Sequence, residues 1–319
     1  MNKLIIDSDG GTDDILALLL LAGHNRLPSL ITTTFGNVGL DQATQNIADT
    51  MALLAQKKPE VQRIPIIKGA NKPLTGPLVD AKDVHGEDGL GGIARPIHTK
   101  SVFQSNAIEA IKKLLAEAQS TNRKVDILTL GPLTNLAEVL KDKPELGEAI
   151  EHLWVMGGSC RGRGNVTLAA EFNIYCDPQA ADIVFSLPLN THMIPWEPCL
   201  ETAISGEALQ GIFSSLPNTI IKQFAMDICD HGRQLGRNWY DEDFCIMPDP
   251  LAAAYVLDNQ IAMRTIVCGV MVETVGEHTT GATILDFENK TNRPPIGIID
   301  QADGAALSRL FSTAMQRLC

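Results

Sequence analysis

Aromatic residues are scarce in this chain, with 3 Trp, 3 Tyr and 9 Phe in 319 residues. Positive charge is also short: 26 Lys and Arg face 38 Asp and Glu, a formal net charge of -12. Such a surface repels a nucleic-acid backbone or an anionic membrane and suits a small, neutral or cation-assisted ligand. No apolar run reaches the roughly 18 residues of a membrane span. No basic segment followed by a short apolar stretch and a cleavage site opens the sequence, so the expected location is cytoplasmic. Seven cysteines, at positions 160, 176, 199, 229, 245, 268 and 319, are scattered, odd in number and without a Cys-x-x-Cys pair. That spacing argues for reduced thiols and against zinc. A dinucleotide fingerprint is missing too, because the glycine-rich run from Gly157 to Gly164 does not lead directly into a helix pattern.

What the chain does have is concentrated near its start. Leu4, Ile5 and Ile6 make a short apolar run typical of a buried parallel strand, and Ile15 to Ala22 reads as a buried helix entered at Asp13 or Asp14. Asp7, Asp9, Asp13 and Asp14 therefore crowd the turn at the carboxyl end of a strand, where open α/β sheets place their ligands. Four carboxylates so close repel one another unless a hard divalent cation joins them. An EF-hand register fails, since its fifth and sixth positions counted from Asp7 would be Gly11 and Thr12. A phosphatase of the haloacid-dehalogenase type, with Asp7 as nucleophile and Asp9 as acid, remains an alternative. An acidic helix start that merely complements the helix dipole is the structural alternative for any one of these carboxylates.

Beyond the first unit, strand and helix patterns alternate. Strands are expected at 29–34, 64–68, 125–130, 153–156, 271–275, 283–287 and 296–299, and helices at 41–56, 108–118, 249–257 and 305–316. Residues 69–105 form a long loop rich in Gly and Pro that contains His85. Residues 206–235 read as helical, and 236–248 as an irregular segment holding Trp239, Tyr240 and Phe244. The expected architecture is a single domain, 1–319, of the α/β class. Its open, mostly parallel Rossmann-like sheet is flanked by helices, with the active site at the carboxyl ends of the strands.

Taken in order, several blocks resemble the nucleoside hydrolases, the inosine-uridine-preferring N-ribohydrolases. The block Asp7-Ser8-Asp9-Gly10-Gly11-Thr12-Asp13-Asp14 is similar to that family's Asp-x-Asp-Pro-Gly-x-Asp-Asp signature, with Gly10 where Pro is usual. Further matching blocks are Gly36-Asn37, His85-Gly86, the run from Gly131 to Asn135, Met156-Gly157-Gly158, the run from Gly164 to Thr167, the run from Ala170 to Asn173, and Asp177-Pro178. The resemblance covers essentially the whole chain.

It implies calcium-dependent hydrolysis of the N-glycosidic bond of ribonucleosides to free base and ribose, by a homodimer or homotetramer. Asp9, Asp14, Asp249 and the backbone carbonyl of Leu130 would hold Ca²⁺, and Asp9 would be the general base. Asp7 would be structural. Asp13, Asn37, Asn165, Glu171 and Asn173 would bind ribose hydroxyls, with Met156 beside the sugar. Asn173 is also expected among the catalytic groups. Many family members carry His immediately before the late calcium-binding Asp, where it helps protonate the leaving base; here that position is Pro248. His85, His231, Trp239 and Tyr240 are the candidates to compensate. A non-catalytic, calcium-dependent nucleoside-binding protein is the second alternative.

Overall fold

Leu4, Ile5 and Ile6 lie in β1 (Lys3–Ser8), which is flanked by parallel neighbours on both sides. The structure, a computed structural model, describes residues 2–99 and 103–319. Leu4 and Ile6 enter one apolar layer and Ile5 the other, so the strand is buried on both faces and reads as a continuous apolar run.

In chain order there follow α1 (Thr12–Gly23), β2 (Leu30–Thr33), α2 (Leu40–Leu54), β3 (Ile66–Lys68), α3 (Lys82–His85), β4 (Gln104–Ser105), α4 (Ala107–Ser120), β5 (Val125–Thr129), α5 (Thr134–Asp142) and β6 (Ile150–Met156). Next come α6 (Phe172–Cys176), α7 (Pro178–Phe185), β7 (Thr191–Ile194), α8 (Trp196–Glu201), β8 (Ile204–Ser205), α9 (Gly206–Ser214), α10 (Ile220–Tyr240) and β9 (Phe244–Cys245). The chain closes with α11 (Pro248–Leu257), β10 (Ala262–Val272), β11 (Thr283–Asp286), β12 (Ile296–Ala302) and α12 (Gly304–Leu318).

Ten strands form one sheet in the order β11-β10-β12-β7-β6-β5-β1-β2-β3-β4, and β8 and β9 form a separate antiparallel ribbon. All pairings from β12 to β4 are parallel, while β10 runs antiparallel to both β12 and β11. The expected mostly parallel α/β sheet is therefore present. From β1 the chain moves outward through β2, β3 and β4, then returns to the other side of β1 as β5. The loops after β1 and β5 part at this reversal, which opens a crevice at the carboxyl ends of the strands.

The helix α1 is apolar nearly all round because it is covered nearly all round, packing against α11 and α12. Leu19 and Leu20 are fully buried there, and truncating either to Ala should cost about 2–5 kcal/mol. That rigid helix fixes the acids at its amino end.

Several boundaries differ from the sequence reading. The segment expected to be irregular from 236 is helical through Tyr240, because α10 continues over Gly236 and ends only at Asp241 in the left-handed region, φ 56°. The strand expected at 271–275 overlaps only the end of β10, which runs from Ala262 to Val272; its first half is exposed, with Arg264 and Thr265 breaking the apolar pattern, and this hides the strand signal. The short strand β7 was missed beneath the Leu-Pro and Asn residues before it. The long 69–105 loop holds α3 and β4, and its positions 100–102 lie outside the described residues.

Candidate active site

The turn from β1 into α1 is built by its own side chains. The Ser8 hydroxyl donates to Asp14, and the Gly11 N–H donates to Asp14 Oδ2 at 2.8 Å, so the third helical residue reaches back to satisfy the free donor before the helix. Gly10 has φ +69°, and a Cβ there would lie 2.6 Å from the Ala43 backbone. Proline, held near φ −65°, could not adopt this turn, so the Gly10 departure from the family signature has a backbone reason. Gly36 serves close approach: a Cβ on it would meet Asp9 Oδ2 at 1.9 Å.

That approach delivers Asn37, from the end of β2, onto Asp9. The Asn37 backbone N–H donates to Asp9 Oδ2 at 2.8 Å and its amide donates to Oδ1 at 2.9 Å, with a longer bond to Asp14 Oδ2 at 3.3 Å. Asp7 is turned elsewhere, accepting from Thr32 Oγ1 at 2.6 Å and from Asn135 Nδ2 at 2.8 Å. Its Oδ2 is buried without a hydrogen-bond partner among the described residues, and Asp7, like Asp9, Asp14 and Asp249, stands outside the cavity lining.

Carboxylate oxygens of Asp13, Asp14 and Asp249 all lie within 4.8 Å of one another. Asp249, in the first turn of α11, is 1 % exposed and neither of its oxygens has a hydrogen-bond partner among the described residues. Burial pushes its carboxyl well above the ordinary range, and the neighbouring charges of Asp13, Asp14 and Asp9 push the same way. Burial and then Asp14 do the same for Asp9. Asp14 is raised to about 7 by burial and then by Asp13. Unpartnered buried carboxylate oxygens are costly. An all-oxygen donor set of this kind fits a hard divalent cation, whose charge would favour the ionised forms. The sequence reading placed Asp9 with the metal and Asp13 with the sugar; here the tight trio contains Asp13, and both Asp9 oxygens are engaged by Asn37.

A cavity of about 320 Å³ adjoins this cluster at Asp13, the member that lines it. Its lining includes Asp13, Asn37, Leu130, Met156, Asn165, Glu171 and Asn173, so residues from four separate strand ends meet there. Glu171 caps α6, accepting from the backbone N–H of Asn173 at 3.0 Å and of Ile174 at 3.2 Å, and also from Gly158 at 2.9 Å. Burial still raises it to about 7. Asn173 Nδ2 donates to the Leu130 carbonyl at 3.0 Å and to the Met156 carbonyl at 3.1 Å. Asn165 Oδ1 accepts from the Phe172 N–H at 2.8 Å, leaving its amide hydrogens for a ligand.

His85, Trp239, Tyr240 and Pro248 also line the cavity. His85 Nδ1 accepts from the Thr12 backbone N–H at 3.3 Å and meets the Thr12 hydroxyl at 2.9 Å, which assigns the ring proton to Nε2. Burial lowers its pKa. His231 stands outside the lining, its Nε2–H donating to the Val84 carbonyl at 2.8 Å; it docks the His85 segment onto α10. Sequence reasoning missed Thr12, Asn135, Asp80 and Asp83. Thr12 and Asn135 stood inside recognised blocks, but nothing local reveals that Thr12 meets His85 or that Asn135 meets Asp7.

Residues 4–309 match the family model described as inosine-uridine preferring nucleoside hydrolase. A pyrimidine-specific ribonucleoside hydrolase RihA from Shewanella sp. (strain MR-4) is 35% identical over 296 residues, covering 91% of this chain and 88% of that protein. Among solved structures, a purine-preferring ribonucleoside hydrolase from Gardnerella vaginalis superposes with TM-score 0.89 at 27% identity over 99% of both chains. A plant nucleoside hydrolase, PpNRh1, gives TM-score 0.87 at 26% identity, covering 99% of this chain and 98% of that one. The fold and the cavity define a ribohydrolase, an enzyme that hydrolyses N-glycosyl compounds. The chain belongs to the inosine-uridine preferring nucleoside hydrolase family.

Proposed function

We propose that the acid cluster and the adjoining cavity carry out calcium-dependent hydrolysis of a ribonucleoside, with Asp14, Asp249, Asp9 and the Leu130 carbonyl as the groups that would hold the ion and Asp13, the third member of the close trio, between the ion and the sugar. The observation that carries this reading is Asp249, whose two buried oxygens lack partners while they face other carboxylates. Calcium, when bound, supplies Lewis acidity and makes a neighbouring water easier to deprotonate. Asp9 is the base that takes that proton, because Asn37 fixes both of its oxygens and hence its orientation.

Ribose is gripped by Asp13, Asn37, Asn165, Glu171 and Asn173. Carboxylates and amides suit hydroxyls because they can accept and donate in turn. As the C1′–N bond lengthens, positive charge builds on the sugar, and contacts that tighten with that charge raise the rate rather than merely the affinity. Met156 lies against the sugar, and Trp239 and Tyr240 border the base. His85 presents its Nε2–H as a hydrogen-bond donor towards the base. Its depressed pKa makes it a donor of a hydrogen bond more than of a whole proton. We assign the physiological form to a homodimer or homotetramer, in keeping with the family.

The test is direct. The calcium-loaded protein should release reducing sugar from inosine or uridine, and treatment with chelator should abolish release. Tight calcium-dependent nucleoside binding without any sugar release would favour a non-catalytic binding protein instead.

A further inference from the structure

The wall of the cavity formed by the Asp80–His85 segment, α10 and the 246–248 segment is unusual in what it offers a leaving base. It carries the exposed carboxylates of Asp80 and Asp83 and the rings of Trp239 and Tyr240, and among the described residues the cavity lining contains neither Lys nor Arg. Among the described residues Asp83 has no ion pair. Lys82, its nearest neighbour in sequence that could neutralise it, pairs with Glu87 at 3.0 Å and stands 3.9 Å from Asp80. The bond from His231 to the Val84 carbonyl, 2.8 Å, docks the segment bearing these acids against the helix bearing the two rings. Trp239 lines the cavity and remains 53% exposed. Aromatic faces and a carboxylate without an ion-pair partner, here Asp83, both attract a cation.

Position 248 adds a chemical argument. A neutral base leaves as an anion unless something protonates it; Pro248 has no proton to give, which leaves His85 and Tyr240 as the donors in the lining on which a neutral base would depend. A base that already bears a positive charge leaves as a neutral molecule.

The geometry points to a further substrate class: ribosides of cationic heteroaromatic bases, meaning N-ribosylpyridinium compounds and purine ribosides alkylated at N7, hydrolysed in preference to their neutral counterparts. This rests on the ribohydrolase reading and deepens it. In the reaction the oxygen of water bonds to C1′ while the C1′–N bond breaks. The bonding pair passes to the ring and cancels its positive charge. One proton leaves the water, first to Asp9 and then to solvent. The products are ribose, a neutral base and that proton, with no oxidant or reductant involved.

The experiment compares 7-methylguanosine with guanosine, two ribosides of nearly equal shape that differ in charge, and adds nicotinamide riboside as a second cation of different ring. The metal-loaded enzyme should show kcat/KM for 7-methylguanosine at least about tenfold above that for guanosine. Raising salt should increase KM for both cations and leave that of guanosine unmoved. The paired substitution Asp80→Asn with Asp83→Asn should reduce the ratio of cationic to neutral kcat/KM about three- to tenfold, a change that the greater intrinsic lability of cationic ribosides cannot produce. Turnover of guanosine with a ratio at or below one overturns the inference and leaves the ribohydrolase reading intact. So does a ratio that neither salt nor the paired variant changes. Failure of the folded, metal-loaded protein to cleave any of the three, or inosine and uridine, overturns that reading as well.

Discussion

Asn37 holds Asp9 by both carboxylate oxygens, through its backbone N–H at 2.8 Å and its side-chain amide at 2.9 Å. The carboxylate two residues earlier, Asp7, accepts from Thr32 and Asn135 through Oδ1 alone, and its buried Oδ2 has no hydrogen-bond partner among the described residues. The same residue type, two positions apart, is thus given two tasks by its partners. Asp9→Asn should lower kcat by about 10²- to 10⁴-fold, the usual cost of losing a positioned base. Asp7→Asn keeps an oxygen that can accept from both Thr32 and Asn135, so its steady-state rates should stay within about threefold of the parent. Equal losses in the two variants would remove the distinction.

Calcium should raise the melting temperature of chelator-treated protein, because a ligand bound only by the native state stabilises it. Calorimetry at several calcium concentrations tests this. Asp249→Asn should shrink the calcium-induced shift.

The pH dependence of the metal-free protein follows from the raised carboxyls. Asp7 at about 6, and Asp14 and Glu171 at about 7, all lie above their unfolded values because burial penalises the charge. The native state therefore binds more protons than the unfolded chain. The associated stability is fully present below about pH 4 and is lost as pH rises to about 7. The melting temperature of the chelated protein should accordingly fall between about pH 4 and 7 through these groups, and saturating calcium should remove the part of the loss that Asp14 contributes. Calcium binding should release protons, seen as a dependence of the apparent binding enthalpy on buffer ionisation enthalpy. A melting temperature for the chelated protein that climbs across this interval would contradict the assignment.

For the sugar, 2′-deoxyinosine and 3′-deoxyinosine should be poor substrates. Each missing hydroxyl leaves polar groups of Asp13, Asn37, Asn165, Glu171 or Asn173 unpaired, at about 1–3 kcal/mol apiece. Comparable kcat/KM values for inosine and 2′-deoxyinosine would argue against a ribose clamp.

Leaving-group help is separable from the rest of catalysis with 4-nitrophenyl riboside, whose leaving group needs none. Alanine at His85 or Tyr240 should depress inosine or uridine turnover by about 10²-fold more than nitrophenyl riboside turnover, if these donors act on the base. His231→Ala acts only through the docked segment, so it should lower both substrates by a similar factor. A selective loss for inosine in the His231 variant would return that residue to the reacting base.

Much of this protein was legible in its sequence. The continuous apolar run at 4–6 marks a strand buried on both faces, and a buried parallel strand followed by an apolar helix puts Asp9, Asp13 and Asp14 at a strand's carboxyl end whatever surrounds them. Those inferences depend on local pattern, which the 2.0 and 3.6 residue periods preserve. The sequence order alone could not say that β5 returns beside β1, yet this reversal opens the crevice and brings the Leu130 carbonyl to it. Asp249 was reachable only through the family resemblance, since it comes beside Asp13 and Asp14 only when α11 packs on α1, and nothing local shows that His231 is spent on Val84 while His85 lines the cavity. Helix α10 hid its continuation past Gly236 because glycine there weakens the local helix signal, and Phe244 packs where a side chain would otherwise stand. Periodicity decides which residues are buried; which distant carboxylates share one cavity is decided only when the helices pack.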